Sequence, residues 1–120
     1  GVTTVEIKSG YGLSVKDEIR ILKVIQQTET PVRKEATFLG AHACPPECQS
    51  SKDYLEKLLP ALHQIAQQKL AKRVDIFIEK NYFSLEDSKK FLHSAKKLGF
   101  DITIHADQMT RTGASELAFG

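Results

Sequence analysis

The chain has 120 residues, of which 41% are hydrophobic and 27% are charged, and its formal net charge is +2. These values are ordinary for one globular domain, and so small a charge gives no reason to expect nucleic acid or an anionic membrane as a partner. No apolar run approaches the ~20 residues that a transmembrane helix needs. The composition therefore favours an ordinary globular protein of one domain.

Four segments with alternating apolar residues are predicted strands: Thr3–Lys8, Glu35–Leu39, Val74–Glu79 and Asp101–Ile104. Each is followed by apolar residues at helical spacing. An amphipathic helix is expected over Val15–Gln27, after a capping pair formed by Ser14 and Asp17. The last helix is expected to begin at Thr112 or Gly113. The sequence therefore predicts four β-α units and a parallel sheet.

The two middle helices carry their own boundary signals. We expect Ser51 to cap the second helix, in which Pro60 requires a kink or the start of another helix, because proline lacks an N–H group. Ser84 and Asp87 form a second capping pair, and Gly99 is expected to end that helix in a left-handed conformation.

The faces of the predicted strands distinguish two architectures. Three strands are apolar on one face only, and their other faces carry polar residues: Glu6, Lys8, Asp75, Glu79, Thr103, His105 and Asp107. A parallel strand covered by helices on both faces should be apolar on both, since burying charges under helices is costly. The pattern therefore favours four consecutive β-α units of a (β/α)8 barrel of the TIM type over an open, doubly wound sheet.

The two cysteines lie in the stretch Cys44–Cys48, which reads CPPEC. They lack further partners at the spacing of a zinc site, so we interpret them as reduced thiols of a cytoplasmic protein. The first residues resemble the interior of a strand and the last resemble an unfinished helix. We therefore expect residues 1–120 to be part of one barrel domain, truncated at both ends.

The segment Asp101–Gln108, DITIHADQ, carries the strongest candidates for chemistry. His105 lies at the end of a predicted strand and could bind a divalent metal or be a hydrogen-bonded structural histidine. Asp107 could orient a neighbouring metal ligand or cap the next helix. Gln108 offers a donor and an acceptor that suit an amide-like substrate, although an ordinary solvated side chain is the more common role of such a residue.

Two further candidates follow the first two strands. His42 could polarise a substrate carbonyl or hydrogen-bond a ring nitrogen, or it could be a solvated loop residue. Tyr11 lies between two glycines and could close over a ligand or pack at the rim. Glu6, Lys8 and Glu79 are expected to form an ion network inside the barrel.

Five motifs, in this order, resemble those of the imidazolonepropionase family. They are Glu6–Leu13 (EIKSGYGL), Thr37–Ala43 (TFLGAHA), Asp75–Glu79 (DIFIE), Ile104–Gln108 (IHADQ) and Gly113–Ala118 (GASELA). The resemblance covers essentially the whole chain and about the middle third of a full-length member. It implies a metal-dependent amidohydrolase of histidine degradation that opens the ring of 4-imidazolone-5-propanoate to N-formimidoyl-L-glutamate, with a (β/α)8 barrel.

The resemblance also implies roles for individual residues. His105 would be a ligand of a single zinc or iron ion, and Tyr11, His42 and Gln108 would contact the substrate, with His42 near the reacting carbonyl as a catalytic residue. The other metal ligands of the family have no counterpart here, so we expect the chain alone to be inactive. The resemblance is compatible with a homodimer of the full-length enzyme.

Two alternatives remain open from the sequence. One is another enzyme of the amidohydrolase superfamily, such as a deaminase that acts on a ring carbon–nitrogen bond. The other is a flavodoxin-like binding domain without catalytic activity. The resemblance of the motifs around Tyr11 argues against the deaminase. The histidines and the glycine-framed tyrosine at the predicted strand ends argue against the flavodoxin-like domain.

Overall fold

The computed structural model describes residues 1–120, in which four β-strands alternate with four α-helices. The strands are β1 (Thr4–Lys8), β2 (Arg33–Ala41), β3 (Arg73–Ile78) and β4 (Asp101–Ala106). The helices are α1 (Val15–Gln27), α2 (Ser51–Gln67), α3 (Leu85–Lys97) and α4 (Ala114–Phe119). This confirms the predicted alternation. None of the helices is both long and apolar enough to cross a membrane.

The strands form one parallel sheet in the order β1-β2-β3-β4, the same order as in the chain. Connections between neighbouring parallel strands are right-handed, so a sheet built in sequence order places all its helices on the same face. Consistent with this, α1 packs against α2, and α2 packs against α3. We call the other face of the sheet the open face. This arrangement rules out, for these strands, the doubly wound and flavodoxin-like alternatives, which need helices on both faces.

The core lies between the sheet and the helices. The β3 side chains Val74, Ile76 and Ile78 point into it and are completely buried, as are Leu58 and Leu62 of α2. The same spacing that predicted the strand and the helix therefore produces the buried contact between them.

The predicted caps of α1 and α3 are confirmed. The Asp17 N–H donates to Ser14 Oγ at 3.1 Å, and the Asp87 N–H donates to Ser84 Oγ at 3.2 Å. After α3, Gly99 has a φ of +87°, the left-handed conformation that terminates helices. These boundaries were predictable because every partner lies within four residues.

One prediction about α2 is wrong, and one of the two alternatives for Pro60 is excluded. Its N-cap is Ser50, whose Oγ accepts from the Asp53 N–H at 3.1 Å, whereas Ser51 Oγ donates to the Tyr82 carbonyl at 2.6 Å. Pro60 lies inside a single helix and starts no second one. Leu58 and Leu62 lie on either side of the proline and are fully buried in one core, so packing offsets the missing backbone hydrogen bond.

A β-bulge in β2 changes the direction in which His42 points. Simple alternation predicts Phe38 and His42 on the same face, but the register shifts between Phe38 and Ala41. Both of these residues belong to the core on the helix side, so His42 points to the open face. The bulge depends on Gly40, where an added Cβ would lie 2.4 Å from Phe38 Cζ.

Candidate active site at the carboxyl ends of the strands

A row of aromatic rings connects the candidate residues across the open face. The ring centroids of Tyr11 and His42 are 5.3 Å apart, those of His42 and Phe77 6.2 Å, and those of Phe77 and His105 6.3 Å. The structure therefore brings together Tyr11, His42 and His105, which the sequence predicted separately. Phe77 was not singled out, although it shares its strand face with Asp75 and Glu79.

His105 is oriented by a carboxylate that the sequence analysis did not assign to it. Its Nδ1 lies 3.0 Å from Oδ2 of Asp75, whose side chain is fully buried, while the imidazole itself is 43% exposed. A neutral imidazole that donates Nδ1–H to a carboxylate presents the lone pair of Nε2 outward. This is the arrangement that proteins use to present a histidine to a metal ion.

Asp75 is a shared acceptor at the centre of the open face. Besides His105, its Oδ2 binds Lys8 Nζ at 2.6 Å, and its Oδ1 accepts from the Ile76 N–H at 2.8 Å. A carboxylate without exposed surface would be costly unless its charge were paired and its oxygens hydrogen-bonded. Lys8 and His105 together satisfy that requirement, which links β1, β3 and β4.

The predicted ion network exists, but with a different membership. Glu6 lies 3.5 Å from Lys8 Nζ and 3.2 Å from Arg73 Nη1, and it accepts from Thr37 Oγ1 at 2.6 Å. The Thr37 hydrogen bond, with support from Arg73 and Lys8, holds the pKa of Glu6 below its usual value. Glu79 has no part in this network, so that part of the prediction is wrong.

His42 has one ring nitrogen engaged and the other available. Its Nδ1 lies 3.1 Å from the Gly10 carbonyl oxygen, so Nδ1 must carry a proton and donate it. In the neutral ring, Nε2 is then an acceptor. His42 can therefore accept a hydrogen bond from a ring N–H group, and it can donate to a carbonyl only after protonation.

The loop that carries Tyr11 is held by Glu18 of α1, which is 1% exposed. The Gly10 N–H donates to Glu18 Oε2 at 2.8 Å, and the Gly12 N–H donates to Oε1 at 2.7 Å. Glu18 was not among the predicted site residues. A signal was present, because Glu18 falls at helical spacing between the apolar residues Val15 and Leu22.

Asp107 caps the loop that follows β4. It has a φ of +51°, and its Oδ1 accepts from the N–H groups of Thr112 at 2.6 Å and Gly113 at 3.2 Å. Its Oδ2 accepts from the Ser115 N–H at 3.2 Å and from the Ser115 hydroxyl. Hydrogen bonds from Ser115 and Thr112 hold the pKa of Asp107 well below its usual range. The N-cap residue of α4 is Gly113, so Asp107 supports the start of this helix through Ser115 without being its N-cap.

Glu79 braces the same loop from the end of β3. It is 3% exposed, and it accepts from the N–H groups of Met109 at 2.9 Å and Thr110 at 3.2 Å, and from the Thr110 hydroxyl. The Thr110 side chain, followed by the Met109 backbone, lowers the pKa of Glu79 to about 2. Gln108 lies between Asp107 and Met109, whose hydrogen bonds hold the loop, and its own side chain is exposed. The structure does not bring it into contact with His42 or His105.

The chain contains no group of three or more His, Cys, Asp or Glu side chains that could hold a metal ion. His105 is suited to be one ligand, since its Nδ1 is engaged by Asp75. A site built on it would need ligands from elsewhere.

A sheet with polar side chains gathered at the carboxyl ends of parallel strands is typical of α/β enzymes. No family model matches the chain. Imidazolonepropionases of Bdellovibrio bacteriovorus, Bacillus cytotoxicus and Bacillus thuringiensis are 53%, 50% and 48% identical to it, each over 98% of the chain. Over nearly its whole length the chain is thus homologous to imidazolonepropionases, which confirms the resemblance of the five motifs. It spans 28–29% of the length of these relatives.

Proposed function

We propose that the chain is part of a metal-dependent hydrolase that opens the ring of 4-imidazolone-5-propanoate to N-formimidoyl-L-glutamate in histidine degradation. The observation that carries this proposal is that His105 and His42 both lie on the open face, at the carboxyl ends of their strands. His105 is held by buried Asp75 with its Nε2 unengaged, and His42 has an unengaged Nε2 beside Tyr11. The similarity to imidazolonepropionases supplies the substrate.

The proposal includes the barrel. The four β-α units would be consecutive units of a (β/α)8 barrel, with the open face toward its interior. Support comes from the sequential strand order and from the polar character of the open face. β1 and β4 each have one edge without a partner strand, where further strands of a barrel would pair.

In this proposal His105 is a ligand of one divalent metal, zinc or iron, both of which accept imidazole nitrogen. When bound, such a metal supplies a Lewis acid and a water of lowered pKa. Asp75 holds the His105 ring in the orientation that leaves Nε2 available. Lys8 Nζ, 2.6 Å from Oδ2 of Asp75, compensates the charge of this buried carboxylate.

His42, Tyr11 and Gln108 would contact the substrate. His42 Nε2 would accept a hydrogen bond from a ring N–H group, and it would donate to the reacting carbonyl once protonated. Tyr11, 84% exposed, would cover the ring from the side of β1. Gln108 would reach the ring through its amide, from a loop whose backbone Asp107 and Glu79 fix on either side.

We place this enzyme in the cytoplasm, acting on a small-molecule substrate. The support is that Cys44 and Cys48 are both free thiols, as is usual in a reducing compartment. A homodimer of the full-length enzyme stays a prediction.

The test uses a chimera in which this chain replaces the matching segment of the Bdellovibrio bacteriovorus imidazolonepropionase. We expect the chimera to bind one metal ion and to open the imidazolone ring. His105→Ala should lower the rate by at least about a thousandfold and reduce the bound metal, since a missing ligand impairs both water activation and metal retention. The matched control is His93→Ala, because His93 is an exposed histidine on α3.

The outcomes are distinct. A chimera that folds and binds metal without opening the ring contradicts the proposed substrate. A His105→Ala variant that keeps both its metal and its rate contradicts the metal role. The 120-residue chain alone is expected to show no ring opening, and measurable turnover by it would show that the remaining ligands are not needed.

A further inference from the structure

Glu18 is a buried carboxylate without a cationic partner. It is 1% exposed, and its hydrogen bonds come only from backbone N–H groups of the loop between β1 and α1. A buried charge of this kind costs free energy unless hydrogen bonds compensate it. Two backbone donors give the carboxylate three contacts of 2.7–3.1 Å, which are charge-assisted and therefore strong.

The two donors stand on either side of one residue. Gly10 and Gly12 flank Tyr11, so the carboxylate holds the backbone immediately before and after the tyrosine. Both glycines are required for this approach. Gly10 has a φ of +122°, and a Cβ at Gly12 would lie 2.7 Å from the Glu18 backbone nitrogen.

The two ends of the loop are held differently. On the β1 side, the Ser9 N–H donates to the Thr37 carbonyl at 3.0 Å, and the Gly10 carbonyl contacts His42. On the α1 side, Glu18 is the only anchor of Gly12. Without Glu18, the segment that carries Tyr11 would keep its bonds to the sheet at Ser9 and Gly10, but it would have no hydrogen bond between Tyr11 and Ser14, the N-cap of α1.

We propose that Glu18 is a positioning residue for substrate binding, which holds the exposed ring of Tyr11 beside His42 before the substrate arrives. This inference rests on the proposed function, since it needs Tyr11 to contact the substrate. Holding the ring in advance spares the complex the entropy of ordering it. The cost of losing Glu18 should therefore appear in binding, because His105 and Asp75 lie on β4 and β3 with anchors of their own.

The experiment measures ring opening of 4-imidazolone-5-propanoate by the chimera. Glu18→Gln keeps the size of the side chain but turns an acceptor into a donor that faces a backbone N–H group. We expect KM to rise about tenfold and kcat to stay within about threefold, as for the loss of a charge-assisted hydrogen bond that acts on binding. Tyr11→Ala should raise KM by a similar or larger factor, and the double variant should show no further increase.

The control separates positioning from helix stability. Ser14→Ala removes the N-cap of the same helix without touching the bonds from Glu18 to the loop. It should lower the unfolding temperature and leave KM unchanged. An equal rise in KM in Ser14→Ala and Glu18→Gln would overturn the proposal.

Several results decide the question. A folded Glu18→Gln variant with KM within twofold of the parent, a Tyr11→Ala variant with unchanged KM, or multiplying effects in the double variant would each overturn it. If Glu18→Gln does not fold, amide hydrogen exchange in the unsubstituted chimera decides. We call the hold of Glu18 on the Gly10 and Gly12 N–H groups the clamp. Slow exchange at Gly10 and Gly12 with fast exchange at Tyr11 supports the clamp, and fast exchange at all three refutes it. An unsubstituted chimera that folds but is inactive overturns the proposed function instead, while its amide exchange still tests the clamp.

Discussion

The two faces of β3 have different surroundings, and alternating residues of this one strand point to each. Val74, Ile76 and Ile78 point toward the helices and have no exposed surface. Asp75 and Phe77 point to the open face, where one orients a histidine and the other lies between two histidines. The period of two along a strand thus lets a six-residue segment contribute to the core on one side and to the candidate site on the other.

The open face is polar, but some of its side chains are as inaccessible to solvent as those of the core. Asp75 has no exposed side-chain surface, although the face it occupies is not covered by helices. Its burial comes from the side chains around it, Lys8 and His105 included. A polar face is therefore not merely a solvated one, and removing a group from it should have effects different from those on the apolar face.

The largest effect on stability is expected on the helix side. Phe38→Ala should lower the free energy of unfolding of the chimera by about 3–5 kcal/mol, because a fully buried phenyl ring leaves a cavity. Urea denaturation measures it. Glu56→Ala is the control, since Glu56 is exposed on α2 and should change the value by less than about 0.5 kcal/mol. Equal effects at the two positions would contradict the assigned core.

On the open face, Asp75→Asn should weaken metal binding. We expect the affinity for Zn²⁺ to fall about 10–100-fold, as is typical when the carboxylate behind a histidine ligand is changed. Titration of the metal-free chimera with Zn²⁺ measures this. Asp53→Asn serves as the control, because Asp53 pairs with Lys57 on the surface of α2. Unchanged affinity in Asp75→Asn would show that Asp75 does not orient a ligand.

Glu79 should make the free energy of unfolding depend on pH in the acidic range. Its pKa is lowered from 4.5 to about 2 in the folded chain. Between these two values the unfolded chain binds more protons than the folded chain. The contribution of Glu79 to the free energy of unfolding is therefore complete above pH 4.5 and is lost as the pH falls toward 2. Glu79→Gln should make the loss of stability in acid shallower, as measured by urea denaturation of metal-free chimera at several pH values. The exposed Glu86 provides the control, Glu86→Gln, and an identical slope in both variants would argue against this role.

The smallest effect is expected at the amino end of the open face. Glu35 pairs with Arg33 at 2.7 Å, and the arginine side chain is 68% exposed. Glu35→Gln should change the free energy of unfolding by less than about 1 kcal/mol, as for other exposed ion pairs. Ring opening should be unchanged, because Glu35 lies far along β2 from His42. A loss of activity would mean that the functional region extends beyond the carboxyl ends of the strands.

The sequence predicted those parts of the fold whose determinants are local. The range of α1 is confirmed residue for residue, since Ser14, Asp17 and the apolar stripe all lie within it or beside it. The four strands were found from alternation alone. The cap of α2 was misplaced by one residue because Ser50 and Ser51 are adjacent and equally suitable.

Features that depend on contacts between residues far apart in the sequence were not predicted. Nothing near His105 in the sequence identifies Asp75 as its partner, since the two meet only when β3 and β4 pair. The direction of His42 depends on the bulge, which arises where Gly40 meets the ring of Phe38. Gln108 remains a prediction from its motif alone.

The order of the sheet also shapes how the chain reaches its native state. Thr4 pairs with Arg33, Thr37 with Arg73 and Arg73 with Asp101, and no strand pairs across an intervening unit. Each new strand therefore finds its partner among residues that the ribosome has just released. Growth can proceed one β-α unit at a time, as in repeat proteins, and loop closure never exceeds the span of one unit. Synthesis and folding can then advance in the same direction, with the growing edge always at the newest strand.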